Sequence, residues 1–295
     1  MTTGSRPGDG PDYVAPETVE EAVRRLAETD GSAKVVAGGQ TLTLLLRQGF
    51  AEPDLLLDVT DIPSMAGVSL DGDRVRVGAT TTYADLLSHE ISSTVGMFQD
   101  ACSVIGDRQV RQLGTVGGAV CHADPALDII APLCSLDATV TLVGEEERRT
   151  VPLDEFFVGH MRTARGENEV LTSIQWQFPA TQRWGTAYEK HATVEGGWAT
   201  AGVAANVALS DAAISEARIA LTAVAESTVR APAAESELTG ERVSEGVIER
   251  ASQAVPEDID PIDDLSGSAT YKAQVAQTLT ERTLRRAIVR AGGTL

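Results

Sequence analysis

Apolar residues recur at helical spacing in several stretches of the chain. The apolar side chains between Val19 and Leu26 share one face of a helix, and Thr18 followed by Glu21 forms a capping box at its start. Similar spacing, together with capping residues, predicts further helices at Leu42–Arg47, Thr82–Leu87, Phe98–Ile105, Asp124–Leu136, Ser244–Ala254 and Ser268–Arg290.

Shorter apolar runs, bounded by glycine, proline and charged residues, predict β-strands. They alternate with helices up to about residue 60, which predicts a small βαβ unit, and the last three form an antiparallel meander that two helices follow. This order of elements is typical of an α+β fold. The runs are Lys34–Ala37, Leu55–Val59, Val75–Gly78, Ala138–Val143, Val151–Leu153, Val170–Phe178, Thr186–His191, Thr200–Leu209 and Ala217–Val224.

The chain length of 295 residues allows about two domains at roughly 150 residues each. The first residues are polar and rich in glycine, and the composition shifts again near residues 180–186. The predicted division is a disordered tail at residues 1–12, a first domain at 13–180 with subdomains of about 13–60 and 61–180, and a C-terminal domain at 181–295.

The formal net charge of −19 argues against a nucleic-acid-binding protein, which needs clustered lysine and arginine. The acidity fits a high-salt cytoplasm and an arginine-preferring, GC-rich genome equally well. No apolar run approaches the roughly 20 residues of a membrane span, and the N-terminus lacks the apolar core of a secretory signal. These features predict a cytoplasmic protein that has no membrane span and does not bind nucleic acid.

The residue types that hold metals or perform catalysis show no recognisable arrangement. Cys102, Cys121 and Cys134 form no CxxC pair, and the four histidines have no metal-ligand spacing. We therefore expect no bound metal and three reduced thiols. No acid–base pair or nucleophile stands out, so no catalytic residue is predicted on this chain.

Two glycine loops, far apart in the sequence, carry the candidate chemistry. Each pairs Gly-Gly with a threonine. Backbone N–H groups of paired glycines can approach an anion without an intervening Cβ, and a threonine hydroxyl adds a donor. Two such loops favour the diphosphate of a dinucleotide over a lone phosphate. The loop residues are Ala37, Gly38, Gly39, Gln40 and Thr41 in the first loop, and Thr115, Val116, Gly117, Gly118 and Ala119 in the second.

The loops belong to a set of motifs that occur in a fixed order from about Tyr13 to Arg290. With this set, the chain resembles the FAD-binding medium subunit of the molybdenum hydroxylases, a family that includes aerobic carbon monoxide dehydrogenase and the flavin domain of xanthine dehydrogenase. The motifs are Tyr13–Pro16, Ala37–Thr41, Val77–Thr81, Gly106–Arg111, Gly114–Gly118, Asp124–Asp128 and Ala187–Lys190.

The resemblance implies a vanillyl-alcohol-oxidase-type FAD-binding domain of two α/β subdomains, followed by a C-terminal domain with a three-stranded antiparallel sheet and helices. It also implies that both glycine loops bind the FAD diphosphate. Asp128 matches an aspartate on the adenosine side of FAD, and Lys190 matches a lysine near the flavin. Trp198 matches an aromatic residue that packs on the isoalloxazine ring, whereas Asp124 is either a cofactor contact or only a helix cap.

Three positions depart from the family pattern. Gln40 replaces the usual histidine of the first loop, and Ala119 replaces an asparagine after the second. Gly197 replaces an acidic residue beside the ring-stacking aromatic. These departures concern side-chain contacts and the redox tuning of the flavin, and they leave the backbone contacts of the loops intact.

The resemblance implies an electron-transfer subunit of an oxidoreductase whose substrate is hydroxylated at a molybdenum centre on another chain. Electrons would pass through 2Fe–2S clusters of a small subunit to FAD on this chain, and then to an external acceptor: quinone, NAD or oxygen. The implied assembly is a dimer of heterotrimers that also contains a large molybdenum-cofactor subunit. Two alternatives stay open, a self-contained FAD-dependent oxidoreductase of the same fold and a cofactor-free structural subunit.

Overall fold

The computed structural model describes residues 10–178 and 183–295. Residues 1–9 of the predicted tail lie outside the described residues, and so does the predicted domain boundary at residues 180 and 181. The predicted tail extended one residue too far toward the C-terminus, because Asp12 already begins the first strand, β1 (Asp12–Val14), and pairs with Leu55.

The first part of the chain folds into the predicted βαβ arrangement. Its three strands are parallel, in the order β1-β3-β2. The Thr18 hydroxyl accepts a hydrogen bond of 3.2 Å from the Glu21 amide and so caps the first helix, as predicted. The elements after β1 are α1 (Val19–Ala27), β2 (Ala33–Val36), α2 (Leu42–Arg47) and β3 (Leu55–Asp58).

A five-stranded antiparallel sheet forms the middle of the molecule, in the order β4-β5-β10-β6-β7. Helices pack around it and carry the second glycine loop at the start of α7. Strands β4 to β10 are Val68–Asp71, Arg74–Gly78, Thr139–Val143, Arg148–Pro152, Phe157–Gly159, Arg162–Thr163 and Val170–Gln177; helices α3 to α9 are Tyr83–Ser88, Ile91–Thr94, Gly96–Val104, Arg108–Leu113, Val116–His122, Ile130–Ser135 and Leu153–Phe156.

The last part of the chain contains the predicted antiparallel meander, extended by one very short fourth strand. Its longest helix begins after Ser268, whose hydroxyl accepts a hydrogen bond from the Tyr271 amide. No helix in the described ranges is long and apolar enough to cross a membrane. The strands β11 to β14 are Arg183–His191, Ala201–Ser210, Ala213–Thr222 and Val229–Arg230; the helices α10 to α12 are Pro232–Ser236, Glu245–Ala254 and Ala269–Arg290.

The helix predicted from Asp124 to Leu136 was wrong in its first half, because α8 begins only at Ile130. The carbonyl groups that would begin such a helix are engaged by the end of β13. The Pro125 carbonyl accepts a 2.7 Å hydrogen bond from the Ala223 amide, and the Leu127 carbonyl accepts one of 3.1 Å from the Thr222 hydroxyl. Tertiary hydrogen bonds thus override the local capping signal.

Strand β12 is buried on both faces, which accounts for its predominantly apolar sequence. Ala204 belongs to a core shared with the middle sheet, while its neighbours Val203 and Ala205 belong to a second core beneath α12. The C-terminal meander therefore packs against the rest of the molecule on one face and against its own helices on the other.

Asp100, on α5, joins these two parts of the molecule electrostatically. Its carboxylate accepts hydrogen bonds from the Tyr188 amide (3.0 Å) and from the guanidinium of Arg290 (2.6 and 3.0 Å). Arg286 completes the cluster through a further ion pair with Asp100. One carboxylate on the middle part thus holds both β11 and the C-terminal end of α12.

We expect Asp100→Ala to lower the free energy of unfolding by roughly 2–3 kcal/mol, because the Tyr188 amide and two arginines lose their acceptor. Partial solvent exposure of both arginines keeps the effect below that of a fully buried ion pair. Urea unfolding of the FAD-free protein measures it. Asp71→Ala, which removes an exposed carboxylate at the end of β4, is the control, and equal effects of the two substitutions would contradict the assignment.

Candidate functional site

A cleft of about 850 Å³ lies between the two glycine loops. Its size is within the range of small-molecule and cofactor sites. The first loop, residues 37–41, connects β2 to α2, and the second, residues 115–119, begins α7. The predicted site residues that line the cleft are Ala37, Gly38, Gly39, Gln40, Thr41, Thr115, Gly117, Gly118, Ala119, Asp128 and Trp198.

Glycines bring the walls of the cleft together. A Cβ on Gly38 would lie 1.8 Å from the carbonyl oxygen of Leu113, and a Cβ on Gly117 would lie 2.5 Å from the Cβ of Ala79. Neither separation is physically possible, so both positions require glycine. The structure changes the reason for these glycines: they let protein segments touch one another, in addition to any approach to an anion.

The first loop has unpaired donors that face no protein acceptor. Within the described ranges, no residue accepts a hydrogen bond from the amides of Gly38, Gly39, Gln40 or Thr41. The Gln40 side chain folds back, and its Nε2 donates to the Gly38 carbonyl at 3.1 Å. Since backbone amides are nearly always hydrogen-bonded, a row of free N–H groups in a cleft wall fits an anionic ligand.

The second loop differs, because the amides of its residues 116–119 already have protein partners. The Val116 amide donates to the Thr81 carbonyl at 3.0 Å, and the Gly117 amide donates to the Ala79 carbonyl at 2.8 Å. The Gly118 amide donates to the Thr115 hydroxyl at 3.1 Å. The Val116 side chain is fully buried and does not line the cleft. The second loop therefore contributes a close-packed wall, and the free amide donors lie on the first loop.

Thr80 is a cleft residue that appeared in the sequence only as part of a motif. It follows β5 and is 7% exposed, and its Oγ1 is buried without a hydrogen-bond partner in the described structure. A buried hydroxyl without a partner is destabilising unless a ligand satisfies it. The free amides of the first loop suit a ligand rich in hydrogen-bond acceptors, as FAD is, and we expect the Thr80 hydroxyl to donate to the same ligand.

Asp128 and Lys190 form a buried ion pair at one end of the cleft. The Lys190 Nζ donates to the Asp128 carboxylate at 2.7 Å, and the Tyr188 hydroxyl donates to its other oxygen at 2.6 Å. Burial raises the pKa of Asp128, and the bonds from Lys190 and Tyr188 oppose this shift. The direct bond places Asp128 and Lys190 at the same end of the cleft. The separate assignments of Asp128 to the adenosine side and Lys190 to the flavin side are therefore incompatible.

Trp198 stands at the same end of the cleft as this ion pair. It lies in the turn between β11 and β12 and is 58% exposed, which is unusual for a tryptophan. The turn is fixed to the ion pair, because the Lys190 Nζ also donates to the Gly197 carbonyl at 2.9 Å. Lys190 itself is not among the described residues that line the cleft.

Asp124 lies outside the cleft lining, and its carboxylate accepts a 2.8 Å hydrogen bond from the Ala126 amide. It shapes a turn, which is close to the capping alternative. Its neighbour His122 does line the cleft and approaches the other Asp124 oxygen at 3.9 Å. Burial lowers the pKa of His122, so this imidazole is neutral at pH 7.

Sequence reasoning missed charged residues that line the cleft, including Arg165 and Glu169. Glu169 is paired with Arg149 through two hydrogen bonds of 2.6 and 2.8 Å, and this pairing lowers the pKa of its carboxyl. Arg165 donates to backbone carbonyls of its own loop. No sequence motif marks these residues, because only the folding of the 160–170 segment brings them to the cleft.

Comparison with known proteins agrees with this site along almost the whole chain. Residues 7–180 match the family described as the FAD binding domain in molybdopterin dehydrogenase. Residues 186–287 match the family described as the CO dehydrogenase flavoprotein C-terminal domain. The two matches follow one another in the order that the resemblance implied.

Individual relatives are similar over nearly their full lengths. The carbon monoxide dehydrogenase medium chain of Hydrogenophaga pseudoflava is 37% identical over 95% of this chain and 97% of its own. The 6-hydroxypseudooxynicotine dehydrogenase complex subunit alpha of Paenarthrobacter nicotinovorans is 34% identical over 95% of each chain. The solved structure of carbon monoxide dehydrogenase from Hydrogenophaga pseudoflava superposes with a TM-score of 0.92 at 38% identity, covering 96% of this chain and 98% of that one.

Thr80→Val replaces a hydroxyl by a methyl group of the same shape. We expect it to weaken FAD binding by about tenfold, the value of roughly one hydrogen bond, because Oγ1 then offers the cofactor no partner. The FAD-free protein should be equally stable or slightly more so, because the lost hydroxyl had no protein partner. Fluorescence titration with FAD and urea unfolding measure the two effects. Unchanged affinity, or a loss of stability without FAD, would contradict this role.

Proposed function

Because the chain belongs to the family of FAD-binding subunits of molybdenum hydroxylases, we propose that it takes electrons from 2Fe–2S clusters of a small partner subunit and passes them to an external acceptor. The chain is an FAD-binding subunit of an oxidoreductase. The observation that supports the electron-transfer role most directly is a cleft whose unpaired donors suit a dinucleotide, beside an exposed aromatic residue at one end.

The residues we assign to the cofactor act by binding and orientation. The free amides of the first loop hold the diphosphate, and the second loop forms the wall opposite them. Asp128, Lys190 and Trp198 belong to one end, which we assign to the flavin. The predicted residues that line the cleft are Ala37, Gly38, Gly39, Gln40, Thr41, Thr115, Gly117, Gly118, Ala119, Asp128 and Trp198, and the structure adds Thr80. Val116, Asp124 and Lys190, which were also predicted, lie outside this lining and would act only by supporting it.

FAD supplies the redox chemistry when it is bound in this cleft. Two of the carboxylates that line the cleft are already engaged, because Asp128 is paired with Lys190 and Glu169 is paired with Arg149. Neither carboxylate is therefore free to act as a base on a substrate. This favours an electron-transfer subunit over a self-contained oxidoreductase.

The proposed partners are a large subunit with the molybdenum cofactor and the small iron–sulfur subunit, in a dimer of heterotrimers. The relatives described above are named as a medium chain and as a subunit of a complex. They carry the names of dehydrogenases for different substrates, which is expected if the substrate pocket lies on another subunit. The three cysteines are free thiols, as suits the reducing cytoplasm that we propose for this complex.

We also propose the two-domain division near residue 180. The first domain supplies both glycine loops, and the second supplies the turn that carries Trp198. The two hydrophobic cores support this division, since one gathers mainly residues before 180 and the other gathers residues from Ala187 to Ala291.

Gly38→Ala should abolish FAD binding, although it adds only one methyl group. The methyl would overlap the Leu113 carbonyl, so the first loop must move and its amides lose their alignment. Loss of two charge-assisted hydrogen bonds reduces affinity by about 100-fold or more. Gly246→Ala is the control, because a Cβ there meets nothing within 4 Å. Titration with FAD measures both, and tight binding by folded Gly38→Ala would contradict the loop contact.

The electron-transfer role predicts that the isolated chain binds FAD but oxidises no hydroxylase substrate. The chain is expressed alone and together with the subunits encoded beside it, and flavin absorbance is followed anaerobically after substrate is added. Reduction only in the co-expressed complex supports the proposal. Stoichiometric reduction in the lone subunit would favour the self-contained oxidoreductase, and a purified chain without flavin affinity would favour a structural subunit.

A further inference from the structure

Lys190 has two acceptors that belong to different parts of the cleft. Its Nζ donates to Asp128, in the first domain, at 2.7 Å and to the Gly197 carbonyl, in the β11–β12 turn, at 2.9 Å. Its side chain is 6% exposed and that of Asp128 is 8% exposed. The positively charged Lys190 ammonium group therefore bonds to these two acceptors, and Lys190 does not line the cleft.

The same turn is otherwise held mainly by local backbone hydrogen bonds, including that of the Thr200 amide to the His191 carbonyl at 2.8 Å. Gly197 donates its own amide to the Val194 carbonyl at 3.1 Å, which closes the turn locally. Gly196 lies against the backbone of Gly106. The bond from Lys190 to the Gly197 carbonyl is thus the polar link, within the described structure, between the residue before Trp198 and the Asp128 carboxylate.

We infer that Lys190 is a positioning residue: it ties the turn that carries Trp198 to Asp128 and thereby fixes the tryptophan at the cleft mouth, and it does not bind the cofactor itself. This inference rests on the proposed function in one respect, that FAD occupies this cleft. In this role, the buried Asp128–Lys190 pair holds the two domains together and fixes the position of the turn that carries Trp198.

A double-mutant cycle separates this role from direct contact with the cofactor. Lys190→Met and Trp198→Ala are each expected to weaken FAD binding by about tenfold, the scale of one aromatic packing contact. If Lys190 acts through Trp198, the double variant should bind no more weakly than Trp198→Ala alone. If Lys190 contacts the cofactor directly, the two losses multiply to about a hundredfold, and the inference is overturned.

Lys272→Met is the matched control for removing a buried lysine. Lys272 is 3% exposed and donates to Asp264 at 2.6 Å, and it does not line the cleft. It should leave FAD affinity unchanged. Hydrogen exchange of the FAD-free protein gives a second measurement: amides in residues 192–200 should exchange faster in Lys190→Met and at the parental rate in Lys272→Met. Unchanged exchange in Lys190→Met would overturn the inference.

Two other outcomes can be told apart from these. The first is that Lys190→Met fails to fold, because Asp128 is then buried without its partner. In that case, the same cycle is run in an Asp128→Asn background, in which Lys190→Met leaves no buried charge unpaired. In that cycle, too, independent effects of the lysine and Trp198 would overturn the inference. A parental protein that binds no FAD would refute the proposed function instead, while the exchange experiment would still test the tie between Lys190 and the turn.

Discussion

The cleft exists because two backbone segments approach more closely than any side chain would permit. Gly38 rests on the Leu113 carbonyl, and Gly117 rests on Ala79. The first contact joins the small parallel unit to the end of α6, and the second packs α7 against the residue that follows β5. The two loops also differ in their hydrogen bonding. The amides of residues 116–119 donate to acceptors within the protein, whereas the amides of residues 38–41 have no acceptor in the described part of the chain and can bind a ligand.

The C-terminal part completes the cleft through bonds that reach across the sequence. The end of β13 engages the carbonyls of Pro125 and Leu127, while Asp100 holds β11 and α12. Lys190 then reaches Asp128 from the other side of the same interface. The same interface therefore shapes the turn at residues 124–129, holds the C-terminal part against the middle part, and, through Lys190, positions the turn that carries Trp198.

An acidic chain that binds an anionic cofactor has an electrostatic difficulty, and the structure shows how it is met. The net charge of −19 acts at long range, where salt screens it beyond about 8–10 Å. At short range the first loop presents unpaired amides, which attract an anion regardless of net charge. Two of the acidic side chains that line the cleft are neutralised locally, Asp128 by Lys190 and Glu169 by Arg149.

The sequence by itself was sufficient to predict most helices and strands, the βαβ unit and the C-terminal meander, the family, and the positions of both glycine loops. These follow from local information: spacing of apolar residues, caps such as Thr18, and short motifs. Only the tertiary structure decided that residues 124–129 form a turn, that the amides of Val116 and Gly117 are occupied, and that Asp128 and Lys190 meet. Each of these depends on partners dozens of residues away, such as Thr222 for the turn and Ala79 for Gly117. No periodicity or motif encodes such pairings, because they form only when sheets and loops pack.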